Sequence, residues 1–116
     1  MAGLLGIVAN AIRRSPDDLS VLERLFEDAR AARDRGAWRK AEKLFRRAFA
    51  MAKRLGADRE MADALFILSG LRLMEKDVSA SRRMASEAAD LYSGIGEKAL
   101  TLRAMKLAAT TAAFSR

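Results

Sequence analysis

The sequence repeats itself at a spacing of forty residues. A shift of that length places Gly56 on Gly96 and aligns the apolar positions of two successive helical patterns: Leu44 with Met84, Ala48 with Ala88, Met51 with Leu91, Leu55 with Ile95, and Leu25-Phe26 with Leu65-Phe66. The first residues take part as well, since Leu4-Leu5 lies forty positions before Leu44-Phe45. A fixed period of this length indicates helix pairs stacked in a row, each burying the apolar faces of its neighbours.

Two amphipathic helical patterns fill each repeat. In residues 36–56, apolar side chains occupy one half of a helical wheel and basic side chains the other, and Gly36 and Gly56 bound the pattern. Comparable patterns predict further helices at residues 3–14, 16–35, 58–75, 78–93 and 97–114. The 58–75 pattern is apolar almost all round, which favours a central position for that helix. We therefore expect one all-α domain of about six helices, arranged as an antiparallel helix-pair solenoid.

The repeat also predicts how the chain is divided. A capping helix at residues 1–15 precedes a repeat domain at 16–116, in which units at 17–56 and 57–96 are followed by a half-unit at 97–114. Residues 3–14 carry Leu4, Leu5, Val8 and Ile12 on one side, and their alignment with later second helices favours a cap on the stack. Attachment to a membrane surface is the alternative, but two arginines and a few apolar residues predict weak binding.

Several residues carry a resemblance to a known family. A small residue in the first helix of a pair (Ala29, Ser69), a glycine turn (Gly36), and a small residue early in the second helix (Ala41, Ser81) resemble a tetratricopeptide repeat. So do the large-then-small pair Phe45 and Ala48, and the LG or IG ending followed by an acid (Asp58, Glu97) resembles the longer, forty-residue form found in adaptors of the Pins and kinesin light chain type. The family's aromatic positions in the first helix are occupied here by Leu25 and Leu65 and by Ala32 and Arg72.

The resemblance implies that the first helices of the pairs line a concave groove. The residues expected in that groove are Phe26, Arg30, Arg33, Phe66, Ile67, Leu73, Met74, Arg103, Lys106 and Thr110. Such a surface is apolar with basic ends, and it suits an acidic or amphipathic segment of another protein. We therefore expect an adaptor or assembly scaffold. Chaperone C-termini are not expected as ligands, because phenylalanines stand where the carboxylate-clamp lysine of chaperone-binding members would be.

The basic residues are concentrated in one part of the chain. Residues 30–54 contain ten basic and two acidic residues, a local charge of +8 in a chain of net charge +7. In the family such a second helix faces the convex side, where the basic residues would be Arg39, Lys43, Arg46, Arg47, Lys53 and Arg54. A solvated surface is the simplest interpretation. An acidic protein and nucleic acid are the alternatives, although nucleic-acid binding would be expected to add stacking aromatic side chains or a recognition helix.

The last predicted helix has no second helix to cover it. Its uncovered apolar positions would be Leu102, Met105, Ala109 and Ala112. Terminal repeats normally present a polar outer face, and an open apolar patch indicates an association site. We expect self-association through this helix. A structural homo-oligomer whose main partner is itself is therefore a further alternative.

Composition restricts the chemistry that the chain can perform. It contains no cysteine and no histidine, which excludes disulfides, thiolate or imidazole catalysis and Cys/His metal sites. The candidate acids Asp58, Glu60 and Asp63 lie in the first turns of a predicted helix, where acidic residues are common. We expect no enzymatic activity, cofactor or metal, and the lack of cysteine favours a cytoplasmic protein.

Overall fold

A computed structural model describes residues 16–114 of the chain as five α-helices. They are α1 (Pro16–Asp34), α2 (Trp38–Leu55), α3 (Asp58–Met74), α4 (Val78–Gly94) and α5 (Lys98–Phe114). Packing is dominated by consecutive helices, and the short connections make neighbours antiparallel. The prediction of an all-α, helical-repeat-like fold is confirmed, with five helices in the described part of the chain. The capping helix predicted at residues 1–15 lies outside the described residues.

The four connections between helices share one geometry, repeated every twenty residues. Each contains one residue with left-handed backbone dihedrals: Gly36, Gly56, Lys76 and Gly96, with φ between 65° and 78°. The next residue donates its N–H to the carbonyl five positions earlier, as Ala37 does to Ala32 at 2.8 Å, and its own carbonyl accepts the first hydrogen bond of the following helix. This is the hydrogen-bond pattern of a Schellman motif. One short turn therefore closes each helix and starts the next.

The core consists of two clusters of buried side chains. The first lies among α1, α2 and α3 and is centred on Phe45, which is fully buried and meets the Phe26 ring edge-on at 6.2 Å between centroids. The second lies among α3, α4 and α5 and is built around Leu65 and Tyr92 with alanines such as Ala88. Helix α3 contributes to both clusters, which is the central position that its apolar pattern predicts.

Small residues allow close contact within the α3–α4 pair. The hydroxyl of Ser69 donates to the carbonyl oxygen of Ser81 at 2.7 Å, and the hydroxyl of Ser81 donates to the carbonyl oxygen of Ser69 at 2.8 Å. Both serines are fully buried, as are Ala29 and Ala41, which lie forty residues before them. Larger side chains at these points would force the helices apart.

The molecule is elongated, with principal extents of 51 × 29 × 21 Å. The 29 Å extent matches the length of helices of 17 to 19 residues at about 1.5 Å per residue. Because the main contacts join consecutive helices, α1 and α5 occupy opposite ends of the stack.

Candidate binding surfaces

The outer face of α3 carries a continuous apolar surface. This α3 strip consists of Phe66, Ile67, Gly70, Leu73 and Met74. The first four are half-buried, whereas Met74 is 60% exposed. Phe66 packs toward the second core cluster and Ile67 toward the first, so the strip lies between the two clusters. It exists because α3 buries its other two sides against α2 and α4.

Basic side chains occupy the corresponding face of α1 and α5. In repeat register Arg30, Gly70 and Thr110 are equivalent, as are Arg33 and Leu73. Arg30, Arg103 and Lys106 are exposed, and Arg33 is half-buried with its Nε atom 3.6 Å from Asp34 Oδ1. The hydroxyl of Thr110 is exposed and donates to the carbonyl oxygen of Lys106 at 2.8 Å. The predicted groove residues therefore lie on equivalent faces of the three odd-numbered helices.

Phe26 is the exception among the predicted groove residues. Its side chain is 5% exposed and belongs to the first core cluster, against Phe45. The guanidinium carbon of Arg30 lies 5.3 Å from the centre of its ring, within cation–π range. The expectation that Phe26 lines the groove is wrong, because the ring is buried in the α1–α2 interface and lies beneath Arg30.

A partly buried ion network joins α2 to the end of α3. Arg72 forms ion pairs with Glu42 and with Glu75, the second at 2.8 Å, and its side chain is 16% exposed. The Nε atom of Arg46 also approaches Glu42, at 3.7 Å. Sequence reasoning missed this network, although a signal was present: Arg72 lies forty residues after Ala32, which is fully buried. A charged residue at an inward repeat position indicates a buried partner.

A second polar contact joins α3 to α4. Tyr92 is 2% exposed, and its hydroxyl donates to Asp63 Oδ1. Burial and then the hydrogen bond to Asp63 raise the pKa of Tyr92 well above its ordinary value, while Arg59 and Arg103 act weakly in the opposite direction. Arg59 in turn forms a 2.8 Å ion pair with Glu97 at the α4–α5 turn. An inaccessible, protonated phenol serves packing, so Asp63 has a structural role that its place in a first helical turn did not reveal.

The basic side chains of α2 form an exposed face. Arg39, Lys43, Arg46, Arg47, Lys53 and Arg54 are all exposed. Trp38, at the start of the helix, is 45% exposed and is the chain's single tryptophan. This face has a high positive charge density and one flat aromatic ring at its edge.

The last helix leaves apolar side chains uncovered. Leu102 is 66% exposed and Met105 55% exposed, while Ala109 is exposed and Ala112 half-buried. The four residues predicted to mediate self-association therefore form one stripe along α5, and Met105 within it borders α4 residues such as Ala89 and Ser93.

Comparisons of the chain with protein-family models, curated proteins and solved structures find no match. The resemblance to tetratricopeptide repeats therefore stays a prediction from the sequence. Between residues 16 and 114, no helix is long and apolar enough to cross a membrane, and no three acidic, histidine or cysteine side chains are grouped so that they could hold a metal ion.

Proposed function

We propose that this protein is a protein–protein interaction adaptor or assembly scaffold that binds a partner segment along the outer faces of α1, α3 and α5. The observation that carries the proposal is the α3 strip, a run of apolar side chains left accessible on an otherwise well-buried helix. Large exposed apolar surfaces rimmed by polar groups are typical of interaction sites. The resemblance to tetratricopeptide repeats supports the same function.

The chemistry of the surface supports one kind of partner. Leu73 and Met74 would provide apolar anchors, with Phe66 and Ile67 forming the floor between them and the core. Arg30 and Arg33 at one side, and Arg103 and Lys106 at the other, would meet acidic groups. An amphipathic or extended segment with acidic flanks fits this arrangement. We place the activity in the cytoplasm, which the cysteine-free composition supports.

The substitution Met74→Glu tests this function. The side chain is 60% exposed and belongs to neither core cluster, so the change introduces charge into the strip without opening the core. Phe66→Glu would be less informative, because Phe66 packs against the second cluster. Tagged wild-type and variant proteins would be used to recover partners from native lysate at moderate salt, and the recovered proteins identified by mass spectrometry. We expect a partner recovered in near-equal amount by the wild type and lost with Met74→Glu.

Val21→Glu provides the matched control. Val21 of α1 is 51% exposed, and its equivalent in α3, Met61, lies on the opposite side of that helix from Gly70 of the α3 strip. This variant should recover the same partner as the wild type, and circular dichroism should give the same helix content for all three proteins. Undiminished recovery of that partner by a folded Met74→Glu protein would refute the groove as the binding site.

The exposed basic face of α2 favours a second candidate function, association with nucleic acid. The supporting observation is that six basic side chains of one helix are exposed together, with Trp38 beside them. Binding through phosphates should weaken steeply as salt is raised, whereas binding through apolar anchors should weaken less. Nuclease treatment of the lysate separates the two. Recovered material that disappears on nuclease treatment, and that is lost with Arg46→Glu but kept with Met74→Glu, would replace the groove proposal.

A further inference from the structure

Helix α4 packs against a surface that α2 and α3 form together. On that surface Phe49, Met61, Leu65 and Leu68 are buried or half-buried, and Met84 of α4 packs against both core clusters. We call this surface the α2–α3 seat. It holds a helix whose inward residues are mostly small, such as Ala85 and Ala88.

The repeat places an equivalent surface, with smaller side chains, at the C-terminal end of the stack. A trough of about 350 Å³ lies between α4 and α5, lined by Ser86, Ala89, Asp90, Ser93, Thr101, Met105 and Ala108. Each of these lies forty residues after a residue of the α2–α3 pair: Arg46, Phe49, Ala50, Lys53, Met61, Leu65 and Leu68. The exposed α5 stripe is likewise equivalent to the α3 residues Ala62, Leu65, Ser69 and Arg72, which are buried or nearly buried. The trough is therefore a seat for a helix, and no described helix covers it.

The opposite end of the stack is different. The α1 residues equivalent to the α2-facing side of α3 are Val21, Arg24, Asp28 and Ala31, and all four are exposed. Arg24 and Asp28 are charged, whereas the equivalent α3 residues are the apolar Ala64 and Leu68. This side of α1 is therefore more polar than the equivalent side of α3.

We propose that residues 3–14 of a second copy of the chain occupy the α4–α5 trough as a helix. A shift of eighty residues, two repeat lengths, aligns the apolar side of this segment with the inward side of α4. The aligned pairs are Leu4 with Met84, Leu5 with Ala85, Val8 with Ala88, and Ile12 with Tyr92. The segment thus carries the pattern of a helix that fits such a seat.

Side-chain volumes and charges match between the segment and the trough. The trough has Ala89, Thr101 and Ala108 where the α2–α3 seat has larger side chains. The segment compensates with Leu5 and Val8 where α4 has alanines. Asp90 is the ionisable residue of the trough lining, and the segment bears Arg13 and Arg14 and no acidic residue.

The occupant has to come from another copy. Only Ser15 separates the segment from α1, and α1 and α5 lie at opposite ends of the stack. Three helices intervene, at about 8–10 Å per packed helix. One residue cannot span that distance.

The first test is the concentration dependence of mass, measured by light scattering. Wild-type protein should assemble, with mass falling on dilution. Val8→Asp and Met105→Asp should each raise the concentration of half-assembly by about tenfold or more, because a charge placed in an apolar contact loses its hydration. Val21→Asp changes an exposed residue of α1, at the opposite end of the stack from the trough, and should assemble like the wild type. Wild-type protein that is monomeric at all concentrations, or a Val8→Asp variant that assembles normally, would overturn the proposal.

The second test uses the absence of native cysteine. Leu65 and Ala88 share one buried cluster, and their counterparts in the proposed contact are Met105 and Val8. Mixing the single variants Val8→Cys and Met105→Cys under mild oxidation should give a disulfide-linked heterodimer in excess over either homodimer. A double Val8→Cys/Val21→Cys variant should not crosslink within one chain. Efficient crosslinking of that double variant would show that residues 3–14 cap their own α1, and a preferred Met105→Cys homodimer would show that two α5 helices pair instead. Either result would overturn the proposal.

Discussion

Tyr92 is a buried polar side chain whose hydroxyl proton is donated in a hydrogen bond. The phenol is 2% exposed, and its hydroxyl reaches Asp63 across the α3–α4 interface. A buried hydroxyl without a partner would be costly. Because the acceptor is a carboxylate, deprotonation of the phenol would also place two negative charges in contact.

This arrangement predicts a loss of stability at high pH. The pKa of Tyr92 is raised by burial and by Asp63, from an ordinary value of 10. Below pH 10 the phenol is protonated in both states; above it the unfolded chain releases the proton while the folded chain retains it. The free energy of unfolding should therefore fall as the pH rises beyond 10. Because Tyr92 is the only tyrosine in the chain, phenolate absorbance reports this site alone.

The substitution Tyr92→Phe isolates the contribution. It should lower the free energy of unfolding by about 1 kcal/mol near neutral pH, since it removes one hydrogen bond. The variant should also lose less stability than the wild type above pH 10. A native protein whose phenolate absorbance rises with a midpoint near pH 10 would contradict the buried hydrogen bond.

Single residues are where prediction from the sequence was weakest. Inward positions such as Tyr92 follow from helical periodicity, and Met74, which was expected in the groove, is 60% exposed. The commitment of Phe26 to the core, and the pairing of Arg72 with Glu42, depend on which neighbouring helix a side chain faces. That information arises only when the helices are packed together.

The turns between the helices are the most regular feature of the secondary structure. Four connections have the same hydrogen bonds and one left-handed residue each, at a constant spacing of twenty. Glycine adopts this conformation without steric cost, whereas other residues are strained in it. Lys76 adopts it without being glycine, so this turn forms at a residue that is strained in that conformation.

Two glycines at the end of α4 provide a matched pair of substitutions. Gly96 has φ of 78°, whereas Gly94 ends the helix without a positive φ, and a Cβ atom at either position would meet nothing within 4 Å. Gly96→Ala should therefore destabilise the fold by about 1 kcal/mol through backbone strain. Gly94→Ala should stabilise it by about 0.5–1 kcal/mol. Denaturant unfolding measures both, and equal effects of the same sign would contradict the turn geometry.

The elements themselves were largely predictable from the sequence. The five predicted helices that fall within residues 16–114 end within two residues of the observed ends, because glycine turns and the apolar period act locally. Lys76-Asp77 lies in the gap between the predicted helices at 58–75 and 78–93. The sequence did not reveal that this turn copies the glycine turns in its hydrogen bonds, since lysine carries no signal for a left-handed conformation.

The helices of the stack differ in how much of their surface is covered by neighbours. Helix α3 is covered on two sides, whereas α5 contacts mainly α4, and its fully buried described side chains are Ala104 and Thr111. Small side chains bury little apolar area, so α5 gains less from packing than the central helices do. The stability of a stack built from neighbour contacts should therefore decrease toward the open end.

Amide hydrogen exchange would measure this gradient. At concentrations where the protein is monomeric, amides of α5 should exchange about tenfold faster or more than those of α3, because α5 can open without disturbing the first core cluster. Raising the concentration until the trough is occupied should slow exchange in α5 selectively. Equal protection of α3 and α5 in the monomer would indicate that the whole stack unfolds as one unit.

The constant spacing of the turns has a consequence for how such a chain can change in evolution. Duplication or loss of a forty-residue segment of the gene would keep every later helix in phase, because the new junction would recreate a turn of the same geometry. Insertions of other lengths within a helix would rotate the following residues of that helix about its axis and expose side chains that now face the core. The length of the helix stack can therefore change in whole repeats, while each existing unit keeps its neighbours.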